Sequence, residues 1–398
     1  MKLTLAALAT TMMVASPALA DLIVPNMSYR TGPYAANGIP YADGFADYFT
    51  LLNERDGGIG GQRIQVPECE TAYNTEKGVE CYESLRTQNP LVLNPLSTGI
   101  TYQLIPRITQ DGIPLYTPGY GRTSAKDGSV FEWVFNAPAN YWDGASVAVK
   151  HILDQEGGDL SGKKIALVYH NSAYGKEPIR TLEELSEKHG FELSLLPVDA
   201  PGQEQKSQWL QIRRDRPDYV IMYAWGVMNQ VAIQEAVNIR FPMDKFIGIW
   251  WSGGEVDVEP AGAGANGYKS LTFNGVGMDY PVYDDLKKHV IDTGKASQDG
   301  QYVGSAVYSR GLYAAVVIAE AIRKAQELAG TPEVNAEQVR AGFEALDITE
   351  ARMAELGLPD FGQPIKLSCA NHGGDGHARI QQWDATAKKR TLISDWIA

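Results

Sequence analysis

Histidine and cysteine are scarce: the chain of 398 residues holds six of the first and three of the second. That shortage bears on catalysis and on metal binding. No G-x-S-x-G elbow occurs, and no histidine stands beside an evident nucleophile, so a hydrolase lacks its parts. The stretch CANHGGDGH offers Cys369, His372 and His377, but no second cluster completes the four ligands of a closed zinc site. We therefore expect no cofactor and no metal. Positive charge is also in deficit, with 35 Lys and Arg against 48 Asp and Glu, a formal net charge of −13. Such a surface repels phosphate backbones and anionic lipid, so nucleic acid is a poor partner. Nor does any segment after residue 20 approach the 18 uninterrupted apolar residues of a membrane span.

The N-terminus reads as an export signal. MKLTLAALATTMMVASPALA has an early lysine, an apolar stretch from Leu3 to Val14 and a small-residue end at Ala18-Leu19-Ala20. This is the layout of a signal peptide with an A-x-A cleavage site. Asp21 follows rather than Cys, so a lipid anchor on a first cysteine is not indicated. The expectation is a periplasmic, soluble monomer, without an anchoring helix at the C-terminus. An oxidising compartment permits disulfides. Cys69 ends a strand-like run and Cys81 lies one turn into a helix-like run, which favours the Cys69–Cys81 pair. A bond from Cys369 to either stays open.

Short apolar runs alternate with helix-patterned stretches. The strand candidates are Leu22–Met27, Ile64–Pro67, Leu91–Asn94, Pro114–Thr117, Lys164–His170, Glu192–Val198, Asp218–Ala224, Lys245–Trp250 and Lys269–Phe273. Tyr41, Phe45, Tyr48, Phe49 and Leu52 share one helical face. Val303 to Leu328 is a long alanine-rich helical pattern, and Gly190 is placed as a helix stop after Leu182 and Leu185. Strand–helix–strand alternation predicts an α/β protein with parallel sheets covered on both faces. It runs once before about residue 140 and again after about 160, which predicts two doubly wound lobes.

Ligands of such sheets bind beyond the carboxyl ends of the strands. Those positions carry PLSTGITYQ, PGYGRTS, APANYWDG, NSAYGKE, AWGVMNQ and WWSGGE. Hydroxyls, glycines and aromatics dominate. Ser97 and Thr98 open a helix, where free N–H groups and hydroxyls suit an anion; capping of that helix is a compatible role. Tyr120, Tyr141, Trp142, Tyr174, Tyr223, Trp225 and Trp250 supply flat apolar walls with polar edges, and adjoining glycines leave room for close approach. A pocket for a small organic molecule follows. GGIGG, residues 57–61, follows a helix and precedes a strand, the reverse of a phosphate-binding loop.

The run TGPYAANGIPYADGFADYFTLLNERDGGIGGQRIQV resembles the opening of the type I periplasmic solute-binding proteins of ABC importers, the branched-chain amino acid family. Its marks are Gly32, Pro33 and Gly38, then Asn53, Gly57, Gly58, Ile59 and Gly60. The Ser97-Thr98 pair and Tyr174-Gly175 also match. The resemblance implies two lobes, residues 21–140 with 273–350 and 141–272 with 351–398, that close by hinge motion on a ligand in the cleft between them. It also implies delivery of that ligand to a membrane permease. Ser97 and Thr98, with backbone around Gly119–Gly121, would hold a carboxylate, and Tyr174, Tyr223 and Trp250 would come from the second lobe.

The departure from the family is informative. Members that bind amino acids use an acidic side chain after the strand ending FIGI to hold the ammonium; here Trp250 stands there, and Glu255 lies further on. Asn140, Tyr141 and Trp142 stand near where another acid can occur. A buried ammonium without a carboxylate is costly, so the expected ligand is an organic carboxylate with an apolar body, aromatic or otherwise hydrophobic. A standard amino acid, a cation held on indole faces, and an exported hydrolase are the alternatives. Arg122 is a further charge near the cleft or a surface arginine. In a strand one of Trp250 and Trp251 faces the cleft and the other the core; the register leaves open which.

Overall fold

The computed structural model describes residues 20–398. The expected signal peptide, residues 1–20, lies almost entirely outside them. Among the described residues no helix is long and apolar enough to cross a membrane.

The first sheet is built from short parallel strands. β1 (Leu22–Ile23) and β2 (Asn26–Ser28) pair with β3 (Ile64–Gln65) and β4 (Glu68–Glu70). On their other side Asn94 bridges to Asn26, Leu93 bridges to Leu115 in β5 (Leu115–Tyr116), and β5 pairs with β6 (Val134–Phe135). In order along the chain, the second strand segment is outermost, then the first, third, fourth and fifth. Strand order therefore reverses between the first segment and the third, the switch point at which such sheets hold ligands.

The second sheet repeats that order. Its seven strands run β15-β14-β11-β10-β9-β7-β8, with β7 (Lys164–His170), β8 (Glu192–Val198), β9 (Tyr219–Tyr223), β10 (Phe246–Gly248) and β11 (Lys269–Thr272) parallel. The hairpin of β14 (Arg379–Asp384) and β15 (Lys389–Leu392) adds antiparallel strands to its edge. A separate antiparallel pair joins β12 (Asp347–Ile348) to β13 (Ile365–Lys366).

Helices cover both sheets. α1 (Ala35–Arg55), α2 (Thr75–Leu85) and α3 (Thr98–Asp111) belong to the first run of alternation, and α4 (Tyr141–Gln155) starts the second. There follow α5 (Ala173–Lys176), α6 (Ile179–His189), α7 (Lys206–Asp215), α8 (Val227–Asn238) and α9 (Glu255–Val258). After β11 come α10 (Pro281–Leu286), α11 (Ala306–Ala329), α12 (Ala336–Glu344) and α13 (Glu350–Glu355). The aromatic face predicted on α1 is buried, and it meets the long α11. The two helices cross where neither has a side chain: a Cβ on Gly44 would lie 2.0 Å from the Tyr308 carbonyl oxygen, and one on Gly311 2.0 Å from that of Tyr41. Residues after 350 also lie on α11, with Arg352 paired to Glu320 at 2.7 Å and the Phe361 ring 5.5 Å from Tyr313.

Two expectations meet specific outcomes. Cys69 and Cys81 form a disulfide with Cα atoms 5.7 Å apart, and Cys369 is free and exposed. The strand expected over Lys245–Trp250 stops at Gly248, and Trp250–Ser252 is a 3-10 turn. Gly248, the strand's last residue, is packed so closely that a Cβ would meet the Tyr268 hydroxyl at 2.1 Å.

Candidate functional site

The carboxyl ends of the two sheets face one another across a narrow cavity. From the first sheet come Tyr29 after β2, Tyr73 after β4, Leu96, Ser97 and Thr98 at the start of α3, and Tyr120 after β5. From the second come Tyr141 at the start of α4, Tyr174 after β7, Trp225 after β9 and Trp251 after β10. The same rule of placement thus operates on both sides. All but Tyr73 are buried.

Most of the polar tips are held. The Trp225 indole donates to the Tyr29 hydroxyl at 2.7 Å, a bond between the two sheets' loops. Tyr174 donates to the Ala224 carbonyl at 3.0 Å. The Tyr120 hydroxyl accepts from the Leu96 N–H at 2.8 Å and donates to Asn94 at 2.9 Å. Thr98 Oγ1 accepts from the Gly121 N–H and lies 3.2 Å from the Tyr141 hydroxyl. Ser97 caps α3, its Oγ accepting from the Ile100 N–H. The N–H groups of Thr98 and Gly99 open the helix and have no partner inside it, so the helix presents its positive end beside the cavity.

No wall residue carries a charge. Burial raises the phenols of Tyr29, Tyr120, Tyr141 and Tyr174 well above their ordinary range, so they remain neutral and able to donate. The rings meet edge to face: Tyr29 and Tyr73 are 5.0 Å apart at 75°, and Trp225 and Trp251 are 5.3 Å apart at 84°. Behind Trp251 lies Arg310, fully buried, 5.3 Å from the ring centroid. It bonds to the Trp250 carbonyl and to Asn274, and burial lowers its pKa to about 9, which leaves it cationic at neutral pH. Glu255 and Asp257 offset part of that charge.

Of the residues singled out in the sequence, Ser97, Thr98, Tyr120, Tyr141, Tyr174 and Trp225 stand in the wall. Trp250, Tyr223 and Trp142 do not. Trp250 is fully buried against Phe273, their centroids 5.2 Å apart, over Gly144 of α4. Tyr223 supports the wall from behind by donating to the Tyr141 carbonyl at 3.0 Å. Trp142 is 36% exposed. Arg122 bonds to Ser124 and lies over the rings of Tyr102 and Phe131. Sequence reasoning missed Tyr29, Tyr73 and Leu96, and left open the choice between Trp250 and Trp251, which the structure gives to Trp251. Tyr29 directly follows the first strand segment, so the rule applied to later strands would have reached it.

Comparison with known proteins gives a consistent pattern. Residues 24–389 match the family model described as periplasmic binding protein. A curated relative, Leu/Ile/Val-binding protein homolog 3 of Brucella melitensis, is 26% identical over 172 residues, 43% of this chain and 45% of that protein. The matched part thus spans less than half of that relative's length. A solved structure described as an ABC transporter permease from the Pseudomonas fluorescens group is 44% identical, with a TM-score of 0.87 over 95% of this chain and 92% of that one. A branched-chain amino acid ABC transporter from Thermus thermophilus with bound valine is 20% identical, with a TM-score of 0.80 over 96% and 97%. An R. palustris solute-binding protein in complex with benzoate is 18% identical, with a TM-score of 0.72 over 95% and 98%. At those last two identities the likeness is one of fold.

Proposed function

Because the chain belongs to the type I periplasmic binding protein family, the substrate-binding class of ABC transporters, we propose that it captures a small aromatic carboxylate and delivers it to a membrane permease. Its mechanism is closure of two lobes on the ligand, which selects the shut form by contacting both. The site of action is the periplasm.

One observation carries the choice of ligand: a wall of tyrosine, tryptophan and hydroxyl groups without an acidic side chain, set at the start of a helix. A carboxylate there accepts from Ser97, Thr98 and the opening N–H groups of α3, in a field made more positive by the helix end. An ammonium has no carboxylate to meet, and its burial unpaired costs several kcal/mol, roughly. The flat apolar body then lies between aromatic rings.

The test is a titration of the purified protein with benzoate, phenylacetate, valine and leucine, followed by calorimetry and by thermal shift. Saturable binding of an aromatic acid, recovered intact, supports the reading. Binding of valine or leucine with no response to either aromatic acid replaces it with amino acid carriage. Chemical conversion of the ligand would show an enzyme instead.

A further inference from the structure

The segment that begins at the last residue of β7, residues 170–177, reaches the first sheet's helices on both sides of the cavity. At its start His170 Nε2 lies 2.7 Å from the hydroxyl of Tyr34, the residue before α1. At its end the Glu177 carboxylate accepts from the Tyr102 hydroxyl of α3 and from the Thr123 N–H, the latter at 3.2 Å. Between the two ends Tyr174 stands in the cavity wall. The segment is tightly folded. A Cβ on Gly175 would lie 2.1 Å from the His170 carbonyl oxygen, so the turn closes on itself only with glycine there.

We infer that residues 170–177 form a clasp, in which Glu177 is a positioning residue that holds the lobes shut without touching the ligand. The inference rests on the closing mechanism proposed above and adds which contacts retain the ligand. Glu177 and its donors lie on opposite sides of the cleft, so the bonds exist in the shut form and are absent once the lobes part. A carboxylate that accepts two hydrogen bonds is a strong tie. Its location beside, rather than in, the wall separates retention from selectivity. Tyr174 contributes to the wall on the same short segment, so a ligand that fixes Tyr174 also fixes both ends of the clasp.

The experiment compares Glu177→Ala, Tyr102→Phe and the double variant with the wild type, using benzoate and valine as probes. Stopped-flow tryptophan fluorescence gives the dissociation rate, and small-angle scattering gives the fraction of shut protein without ligand. Loss of one charge-assisted bond predicts dissociation roughly tenfold faster in Tyr102→Phe, and Glu177→Ala, which loses both of the carboxylate's bonds, should release ligand at least as fast. The double variant should be no faster than Glu177→Ala, because that change already removes the Tyr102 bond along with the one from Thr123. The ratio of affinities for the two probes should not move, and neither should the melting temperature of the ligand-free protein. Failure of the ligand reading appears as a change in which acid the wild type binds, and the clasp is then measured with valine. Wild-type dissociation rates and unchanged scattering in both single variants would overturn the clasp, as would a changed probe ratio.

Discussion

Trp250 and Trp251 donate their indole N–H groups to the same acceptor, the carbonyl oxygen of Gly119, at 2.8 and 2.7 Å. Neighbouring side chains in a strand point to opposite faces and would not converge in this way. They do so because the chain turns at once after β10. One carbonyl of the first sheet's loops is thereby joined to two residues of the second sheet's, and the two indoles divide the labour. Trp250 fills the interior against Phe273, and Trp251 faces the cavity.

This division predicts opposite outcomes for two adjacent substitutions. Trp250→Ala removes a fully buried ring and should cost about 3–5 kcal/mol of stability, read as a lower urea midpoint. Trp251→Phe keeps an apolar ring in the wall but removes one bond, so it should change ligand affinity more than the urea midpoint. Gly119→Ala should damage both. Its φ of +73° disfavours a side chain, and the new Cβ would lie 2.4 Å from Phe273 and 2.8 Å from the Trp250 nitrogen.

At the helix start, Thr98→Val keeps shape and removes one hydroxyl. The Gly121 N–H loses its acceptor and the ligand loses a donor, so affinity for a carboxylate should fall by about 1–1.5 kcal/mol, roughly tenfold. Affinity for the matching neutral amide should fall less. Ser97→Ala also removes the cap of α3, at a further cost of about 1 kcal/mol in stability. Calorimetry with benzoate and benzamide separates the two effects.

How much of this was legible beforehand depends on what kind of signal each residue sends. The tandem sheets were readable because buried parallel strands are continuous apolar runs and amphipathic helices separate them. Ser97, Tyr120, Tyr174 and Trp225 could be singled out because they follow such runs directly. Trp251 could not be told from Trp250, since the choice depends on where the strand stops. The strand ends at Gly248, and nothing in the apolar run itself marks that end. Tyr73 is a third case. It and Ala72 adopt φ of +57° and +50°, conformations that the sequence gives no reason to expect at non-glycine residues.

The Cys69–Cys81 bond closes the short loop that carries Tyr73. Crosslinks of this kind typically stabilise by about 2–4 kcal/mol. The paired Cys69→Ser and Cys81→Ser variant should therefore melt at lower temperature. It should also bind ligand more weakly, because the left-handed backbone at Ala72 and Tyr73 is held in place by its surroundings. A variant at Tyr73 itself, Tyr73→Phe, should keep the full stability. Equal affinity in the disulfide variant and the wild type, measured by calorimetry well below either melting temperature, would remove the loop from the site.

Acidification should loosen the closed form through His170. The side chain is buried between Tyr34 and Tyr174, Asp199 is the charged group acting on it, and burial lowers its pKa from 6.5 to about 4. The folded protein therefore binds fewer protons at this residue than the unfolded chain does between about pH 4 and 6.5. Stability from His170 is full above that window and is lost as pH falls through it, by at most about 1.4 kcal/mol per pH unit. His151, also lowered to about 4, adds a slope of the same sign. Asp257, accepting from Asn37 across the cleft and raised to about 6, has the opposite sign: its folded form binds more protons, so its contribution falls as pH rises. The comparison that isolates His170 is thus His170→Gln against wild type, with ligand affinity and urea midpoints followed from pH 7 to 4.5. The wild type should lose affinity across that range more steeply than the variant. Because the Tyr34–His170 contact spans the two lobes, the loss should appear in ligand dissociation as well as in unfolding. Parallel profiles for the two proteins would show that His170 stays outside the pH response.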